Sequence, residues 1–331
     1  MVRTGAHIYV KYGWESTYSI LNTSINSVAN KKFGLQDKMS SLSLTNNKVN
    51  LNKLNQNTVD KYAYGQQSGT ASMSFTLSNP WIFGAVLGAP STPIANGSNW
   101  DHTYASSTMT KDARTIQLEV GYDATSSTNI FRTLKGGIVG SLSINAATGG
   151  LVDCSADITY GKESAPTNSG TLTPPDKPTQ EFPYTFAHAA LVFNGVDASD
   201  TVVQCQDASI NIAQNAELLY GLNDHSAVSA FKRVLDITGA FKASWINKTL
   251  LDKLIDQLTK DGSGETIGGS YEFILTFERS ATEKIVITLG GLTLNDLGIS
   301  GIEPVEPLFE DITWTAKTIS IVATASASSE E

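Results

Sequence analysis

The sequence predicts a mainly β protein: two tandem copies of one strand-rich domain, each with one helix. Three observations carry that reading. Charged residues are 17% of the 331 positions, below the about 25% of an average globular chain. Ser, Thr, Asn and Gly fill the difference, which favours strands and turns over long surface helices. Apolar and polar residues alternate in one short segment after another. Finally, a Pro-rich stretch near the midpoint separates two similar series of such segments, and at about 150 residues per domain the length accommodates two.

The elements follow in order. Residues 1–30 are polar and aromatic, with brief alternation at His7-Ile8-Tyr9-Val10-Lys11-Tyr12. Residues 39–45 alternate as a strand that ends in Asn46-Asn47, and the Asn- and Lys-rich stretch to Gly65 predicts a long loop. A strand over 71–77 leads to Ser78-Asn79-Pro80, a helix start with Asn79 capping and Pro80 in the first turn. The helix predicted over 81–87 is short and buried. After a Gly/Pro/Ser/Asn loop at 88–99, strands are predicted at 115–122, 130–134, 140–144 and 151–160. Pro166, Pro174, Pro175, Pro178 and Pro183 then mark a linker.

The second half repeats the first. Ser209-Ile210-Asn211-Ile212-Ala213-Gln214-Asn215 matches Ser41-Leu42-Ser43-Leu44-Thr45-Asn46-Asn47, and Thr238-Gly239-Ala240-Phe241 stands where Ser72-Met73-Ser74-Phe75 stood. A helix over 247–258 follows, with Leu250, Leu251, Leu254, Ile255 and Leu258 at helical spacing. Tyr271, Phe273, Leu275 and Phe277 reproduce Ile116, Leu118, Val120 and Tyr122. Gly136-Gly137 reappears as Gly290-Gly291, and Asp157-Ile158-Thr159-Tyr160 as Asp311-Ile312-Thr313-Trp314. Each of these last two matches spans 154 residues (290 − 136 and 311 − 157). Preserved order, rather than any one match, is the evidence for duplication.

Charge and composition exclude several classes. The chain is too apolar and too weakly charged to be wholly disordered. Its longest apolar run, 81–89, falls short of the about 20 residues a bilayer-spanning helix needs. Net charge is -9, split as 13 Lys+Arg against 10 Asp+Glu before residue 166 and 10 against 22 after it. A basic surface that grips nucleic acid is therefore not expected. Met1-Val2-Arg3-Thr4-Gly5 leads into no apolar signal segment, so the two distant thiols, Cys154 and Cys205, are expected reduced in a cytoplasm.

No catalytic constellation emerges. His7, His102, His188 and His225 are far apart and carry no partner at metal-ligand spacing. Gly262-Ser263-Gly264-Glu265-Thr266-Ile267-Gly268 has its third glycine one residue late and precedes a strand instead of following one, so it reads as a turn and not as a dinucleotide loop. Carboxylate pairs such as Asp252 and Asp256 are of a kind any acidic chain supplies. No catalytic residue, cofactor or metal ligand is assigned. Tyr9, Tyr12, Trp14 and Tyr18 crowd the N-terminal arm; a sugar-stacking platform is one reading, core packing or a subunit contact the commoner ones.

The ordered pattern resembles the tail tube (major tail) proteins of long-tailed phages and related archaeal viruses, in duplicated form. The resemblance rests on Gly5-Ala6-His7-Ile8-Tyr9-Val10-Lys11-Tyr12-Gly13-Trp14-Glu15-Ser16-Thr17-Tyr18, on 72–87, on 130–144 with 151–162, and on 209–215 leading to Leu219-Tyr220-Gly221-Leu222. It implies a virion protein made and assembled in the host cytoplasm. Its β-sandwich domains, each with a flanking α-helix, would contribute strands to a shared inner β-barrel, and its rings would stack into a hollow tube for the genome. A duplicated chain would form trimeric rings of pseudo-six-fold symmetry. The implied partners are copies of itself, tail terminator and baseplate or tip proteins, and a tape-measure protein and viral DNA held loosely in the lumen; no membrane is implied.

The expected divisions are an inter-subunit arm (1–30), a first domain (31–162), a linker (163–182), a second domain (183–322) and a loose tail (323–331). In tube proteins the long hairpin loops reach a neighbouring ring. Asn47, Asn50, Asn52 and Lys53, with Asn215, Leu219, Tyr220 and Asp224, are accordingly the candidate inter-ring contacts, and Tyr9, Tyr12, Trp14 and Tyr18 the candidate arm contacts. The competing classes are a tube of a contractile or secretion system, a carbohydrate-binding or adhesive β-sandwich, and a hydrolase on a β scaffold.

Overall fold

The computed structural model describes residues 8–21, 31–51, 61–63, 65–110, 112–122, 129–165, 167–168, 182–194, 201–203, 205–244, 252, 255, 271–300 and 308–326. The strands are β1 (Ile8–Thr17), β2 (Ile20–Leu21), β3 (Leu35–Asn46), β4 (Val49–Leu51), β5 (Lys61–Ala63), β6 (Gln67–Thr76), β7 (Ile94–Asn96), β8 (Asn99–Ala105), β9 (Ile116–Tyr122), β10 (Ile130–Ala147), β11 (Val152–Glu163) and β12 (Thr167–Asn168). They continue as β13 (Ala189–Asn194), β14 (Thr201–Val203), β15 (Cys205–Ala213), β16 (Glu217–Tyr220), β17 (Ala227–Phe231), β18 (Asp236–Ser244), β19 (Tyr271–Ser280), β20 (Glu283–Ser300), β21 (Phe309–Ala316) and β22 (Thr318–Ala325). One short helix, α1 (Phe83–Leu87), lies between β6 and β7.

All pairings are antiparallel, and the same set occurs twice. In the first half β3 pairs β6, β6 pairs β11, β11 pairs β10, β10 pairs β9 and β9 pairs β1. In the second, β15 pairs β18, β18 pairs β21, β21 pairs β20, β20 pairs β19 and β19 pairs β13. The halves are joined where β10 pairs β15, from Ser141↔Ala213 to Ala147↔Asp207. One inner layer of eight strands therefore runs β3-β6-β11-β10-β15-β18-β21-β20. The outer strands bury the other side of its apolar face. Strand β8 of the first half pairs β22 and so extends the outer sheet of the second. Among the described residues the pairings close no barrel; β3 and the last residues of β20 are open edges.

Alternation explains the layers. On β11, Val152, Cys154, Ala156, Ile158 and Tyr160 point into the core while Asp153, Ser155 and Asp157 are exposed. On β15, Ala208, Ile210 and Ile212 are buried between polar neighbours. Burying one face of period two is what fixes register in such a sheet.

Several expectations need correction. The two strands read at 130–134 and 140–144 are one strand, β10, because Gly136 and Gly137 bend it without ending it. The helix starts at Phe83 rather than Trp81, although the Asn79 carboxamide oxygen does accept the Trp81 N–H at 3.3 Å. The long loop read up to Gly65 contains the hairpin β4–β5, and residues 217–231 form the corresponding hairpin β16–β17. Of the helix read over 247–258 only Asp252 and Ile255 are described, both helical; the rest lies outside the described residues. The supposed loose tail begins too early, since Ala323 is fully buried and pairs His102. The linker likewise loses its first residue to β11, where the Arg132 guanidinium grips Glu163 through Nε and Nη2 at 2.6 and 2.8 Å, and its 167–168 to β12.

Candidate functional site

Tyr12 and Trp14 sit on β1, paired with Leu118 and Ile116. They are 0% and 1% exposed and meet edge to face, with Phe33 tilted against Tyr12. They are therefore core residues of their own chain, and the arm reading is corrected for both. Alternation with β9 captured them. Tyr9 reaches Glu119 of β9, its hydroxyl donating at 2.7 Å. Tyr18 lies over Gly136 and Gly161, and burial raises its hydroxyl pKa.

The hairpin candidates fall on two different surroundings. Asn47 and Asn50 are exposed, and Asn52 and Lys53 lie outside the described residues. Asn215 has a left-handed backbone, φ 46°, and its carboxamide donates to Val234 O and Asp236 Oδ2 at 3.1 and 2.7 Å. Leu219 is 44% exposed. The Tyr220 hydroxyl donates to Gln67 O at 3.0 Å, and Asp224 accepts the Ser226 N–H at 2.8 Å. The structure thus holds the second hairpin against the first half, with Tyr220 on the base of the first hairpin, where the Asn47 N–H donates to Gln66 O at 3.2 Å.

What the sequence missed is the pair of sheet edges. Registers define equivalents: Ser41 pairs Ser72 as Ser209 pairs Ala240, so β3 and β15 correspond at 168 residues (209 − 41). Ile116 to Tyr122 corresponds to Tyr271 to Phe277 at 155 (271 − 116), as does β10 to β20. On that basis the joint residues Leu142 and Ile144 of β10 match Leu297 and Ile299 of β20, while Ile210 and Ile212 of β15 match Leu42 and Leu44 of β3. At the joint, Leu142, Ile144, Ile210 and Ile212 are no more than 2% exposed. At the free edges Leu44 and Ile299 are 42% and 40% exposed. The joint is locked by Gln214, fully buried, whose carboxamide donates to Val139 O and to Ala85 O.

The inner layer's other face is polar. Asp153, Asp157, Asp207, Asp236, Asp296 and Asp311 share it with Lys38 and Lys242, among Ser and Thr. Asp157 accepts from the Ser72 and Ser141 hydroxyls at 2.8 and 3.1 Å, and Asp311 from Ser300 at 2.7 Å. Among the described residues no three His, Cys, Asp or Glu converge as metal ligands, and no helix is long and apolar enough to cross a membrane.

Among the described residues the chain is a two-layer β protein with open apolar sheet edges and a polar remaining face. The chain matches the family described as phage tail tube protein over residues 5–316, and it belongs to that family. A search of curated proteins finds no match. Membership makes it a structural, homo-oligomeric component of the virion tail.

Proposed function

We propose that the chain assembles with copies of itself into closed rings that stack as the hollow tail tube, through which the genome passes. Each copy supplies two of six equivalent positions, 31–162 and 183–322, so three copies complete a ring. The role is structural and needs no catalysis. One observation carries this reading: the residues exposed at the two edges are the equivalents of those buried at the β10–β15 joint. Transferring the joint's register sets Asp296 of β20 opposite Thr45 of β3 in the next copy, Leu297 opposite Leu44, and Ile299 opposite Leu42. Leu44 and Ile299 are then covered as Ile212 and Ile144 already are. Such a head-to-tail contact closes when its rotation fits, and closure removes the edges that would otherwise invite aggregation.

The polar face then lines the lumen. Its Asp residues outnumber its Lys residues, which lets polyanionic DNA slide instead of adhering. The tape-measure protein would occupy that lumen before the DNA, with terminator and tip proteins capping the two ends. Electron microscopy of the purified full chain tests the proposal. Rings of three-fold symmetry or tubes are expected; a monodisperse monomer at high concentration overturns it.

A further inference from the structure

The two hairpins are equivalent in register yet differ in cover. Val49 pairs Ala63 as Glu217 pairs Phe231, which keeps the 168-residue correspondence (217 − 49). Hairpin β16–β17 reaches back over the first half. Ala227 and Ala230 are 5% and 4% exposed, Ala227 lies over Gly161 of β11, and Phe231 bridges to Asp112. Its far end grips the base of the first hairpin, where the Gln67 N–H donates to His225 O at 2.7 Å beside the Tyr220 contact. Hairpin β4–β5 has no half on that side within its own chain. Tyr62, 55% exposed, is the equivalent of buried Ala230, whereas Val49 and Leu51 lie on the other face and are exposed like their equivalents Glu217 and Leu219. A matching bare spot exists on the second half: Val234, 73% exposed, is the equivalent of Gln66 at the base of the first hairpin.

We infer that β4–β5 is a lateral clasp, lying across the second half of the neighbouring copy in the same ring, on the side that carries Val234. The inference rests on the ring closure proposed above and names the hairpin's partner: the adjacent copy beside it, not a copy in the next ring. Chain continuity supplies the reach. β15 runs into β16 directly after pairing β10, so the second hairpin starts at the joint and crosses the first half. β3 runs into β4 in the same way, so a β3 paired to the next copy's β20 launches its hairpin across that copy. The half-exposed Tyr62 ring, on the face equivalent to the one the second hairpin buries, has more to gain from this cover than from water.

Cross-linking within assembled tubes decides it. The full chain carrying Tyr62→Cys and Val234→Cys is assembled, treated with a short bis-maleimide and run on a denaturing gel. The unsubstituted chain, with native Cys154 and Cys205, and each single variant serve as baselines. A lateral clasp joins each copy only to its ring neighbours, so the covalent series stops at three chains. The Asn50→Cys/Val234→Cys pair is expected to stop at the same point. A ladder continuing beyond three chains would mean the hairpin joins successive rings, and it overturns the clasp while leaving the tube intact. Tubes without cross-linked chains overturn it as well. If microscopy of the unsubstituted chain shows neither rings nor tubes, the assembly reading itself fails, and the clasp with it.

Discussion

Gly136 and Gly291 hold the same left-handed backbone, φ 64° and 63°, at the bulge of the long strand in each half. At both sites the pairing with the preceding strand slips by one residue, between Leu134 and Gly137 in β10 and at Glu272 in the β19–β20 pair. A side chain there costs about 1–2 kcal/mol in backbone strain alone. A methyl group at Gly136 would also strike the Tyr18 ring, whereas at Gly291 it would meet the flexible Lys317 side chain at 3.0 Å. Gly136→Ala is therefore expected to cost about 2–4 kcal/mol and Gly291→Ala about 1–2 kcal/mol. Thermal unfolding of the two variants reads the difference, and equal melting temperatures would contradict it.

Each half also lays an aromatic ring of its closing strand over a glycine directly opposite. Tyr160 covers Gly69 of β6, and Trp314 covers Gly239 of β18. The Tyr160 ring crosses β6 entirely, since its hydroxyl donates to Ser43 O of β3 at 2.7 Å. Only glycine leaves room for the ring between two ladder hydrogen bonds. Gly69→Ala and Gly239→Ala should each destabilise by about 2–3 kcal/mol. Tyr160→Phe, which loses the hydrogen bond but keeps the ring, should cost about 1 kcal/mol. Denaturant midpoints of the three variants rank them.

These glycines show how far the sequence could be read. Order of elements, alternation and the 168-residue match of β3 with β15 were all legible, because period-two patterning is written in the residues themselves. The match of Gly136-Gly137 to Gly290-Gly291 is off by one: the bulged residues are Gly136 and Gly291, 155 apart (291 − 136). On the closing strand, Asp157 pairs Ser72 and Thr313 pairs Ala240, a spacing of 156 (313 − 157), so Trp314 is the equivalent of Ile158 and covers its glycine two residue pairs away from the place where Tyr160 does. A bulge inserts a residue without leaving a compositional mark, so a gap-free comparison passes over it. The edges were hidden for another reason. Leu44 and Ile212 alternate identically, and only the three-dimensional order reveals that, among the described residues, β15 is paired on both sides and β3 on one.

Asp37 gives β3 a pH dependence. It lies near the start of the strand, in the irregularity between Leu35 and Lys38, its Oδ1 accepting the Gly34 N–H at 3.0 Å, and burial outweighs that bond and nearby Lys32 to push its carboxyl up to about 7. The folded value lies above the unfolded 3.8, so the native state retains a proton that the unfolded chain releases. This stabilising contribution is complete below about pH 4 and is lost as pH rises through 7. Asp37→Asn keeps the acceptor without the charge. It should raise stability by about 1 kcal/mol at pH 8 and leave it unchanged near pH 4. Unfolding curves at the two pH values check this, and a variant less stable at pH 8 would refute it.

Charge placed at the sheet edges should separate folding from assembly. Leu44 and Ile299 are roughly two-fifths exposed in the single chain, so Leu44→Asp and Ile299→Lys leave their charges in contact with water. Each is expected to cost the isolated chain less than about 1 kcal/mol. In a closed ring the same charges would be buried between apolar strands without a partner, a penalty of several kcal/mol repeated at every joint. Ile212→Asp places the same kind of charge at the equivalent joint inside the chain, where exposure is 0%, and should unfold the protein outright. The expected pattern is two folded, monomeric edge variants and one unfolded joint variant, measured by circular dichroism and analytical ultracentrifugation. Combining Leu44→Asp with Ile299→Lys need not restore rings, because the transferred register sets Leu44 opposite Leu297 and Ile299 opposite Leu42. Leu44→Asp with Leu297→Lys does bring opposite charges together, and recovery of rings by that pair, but not by the first, would fix the register at the closing edge.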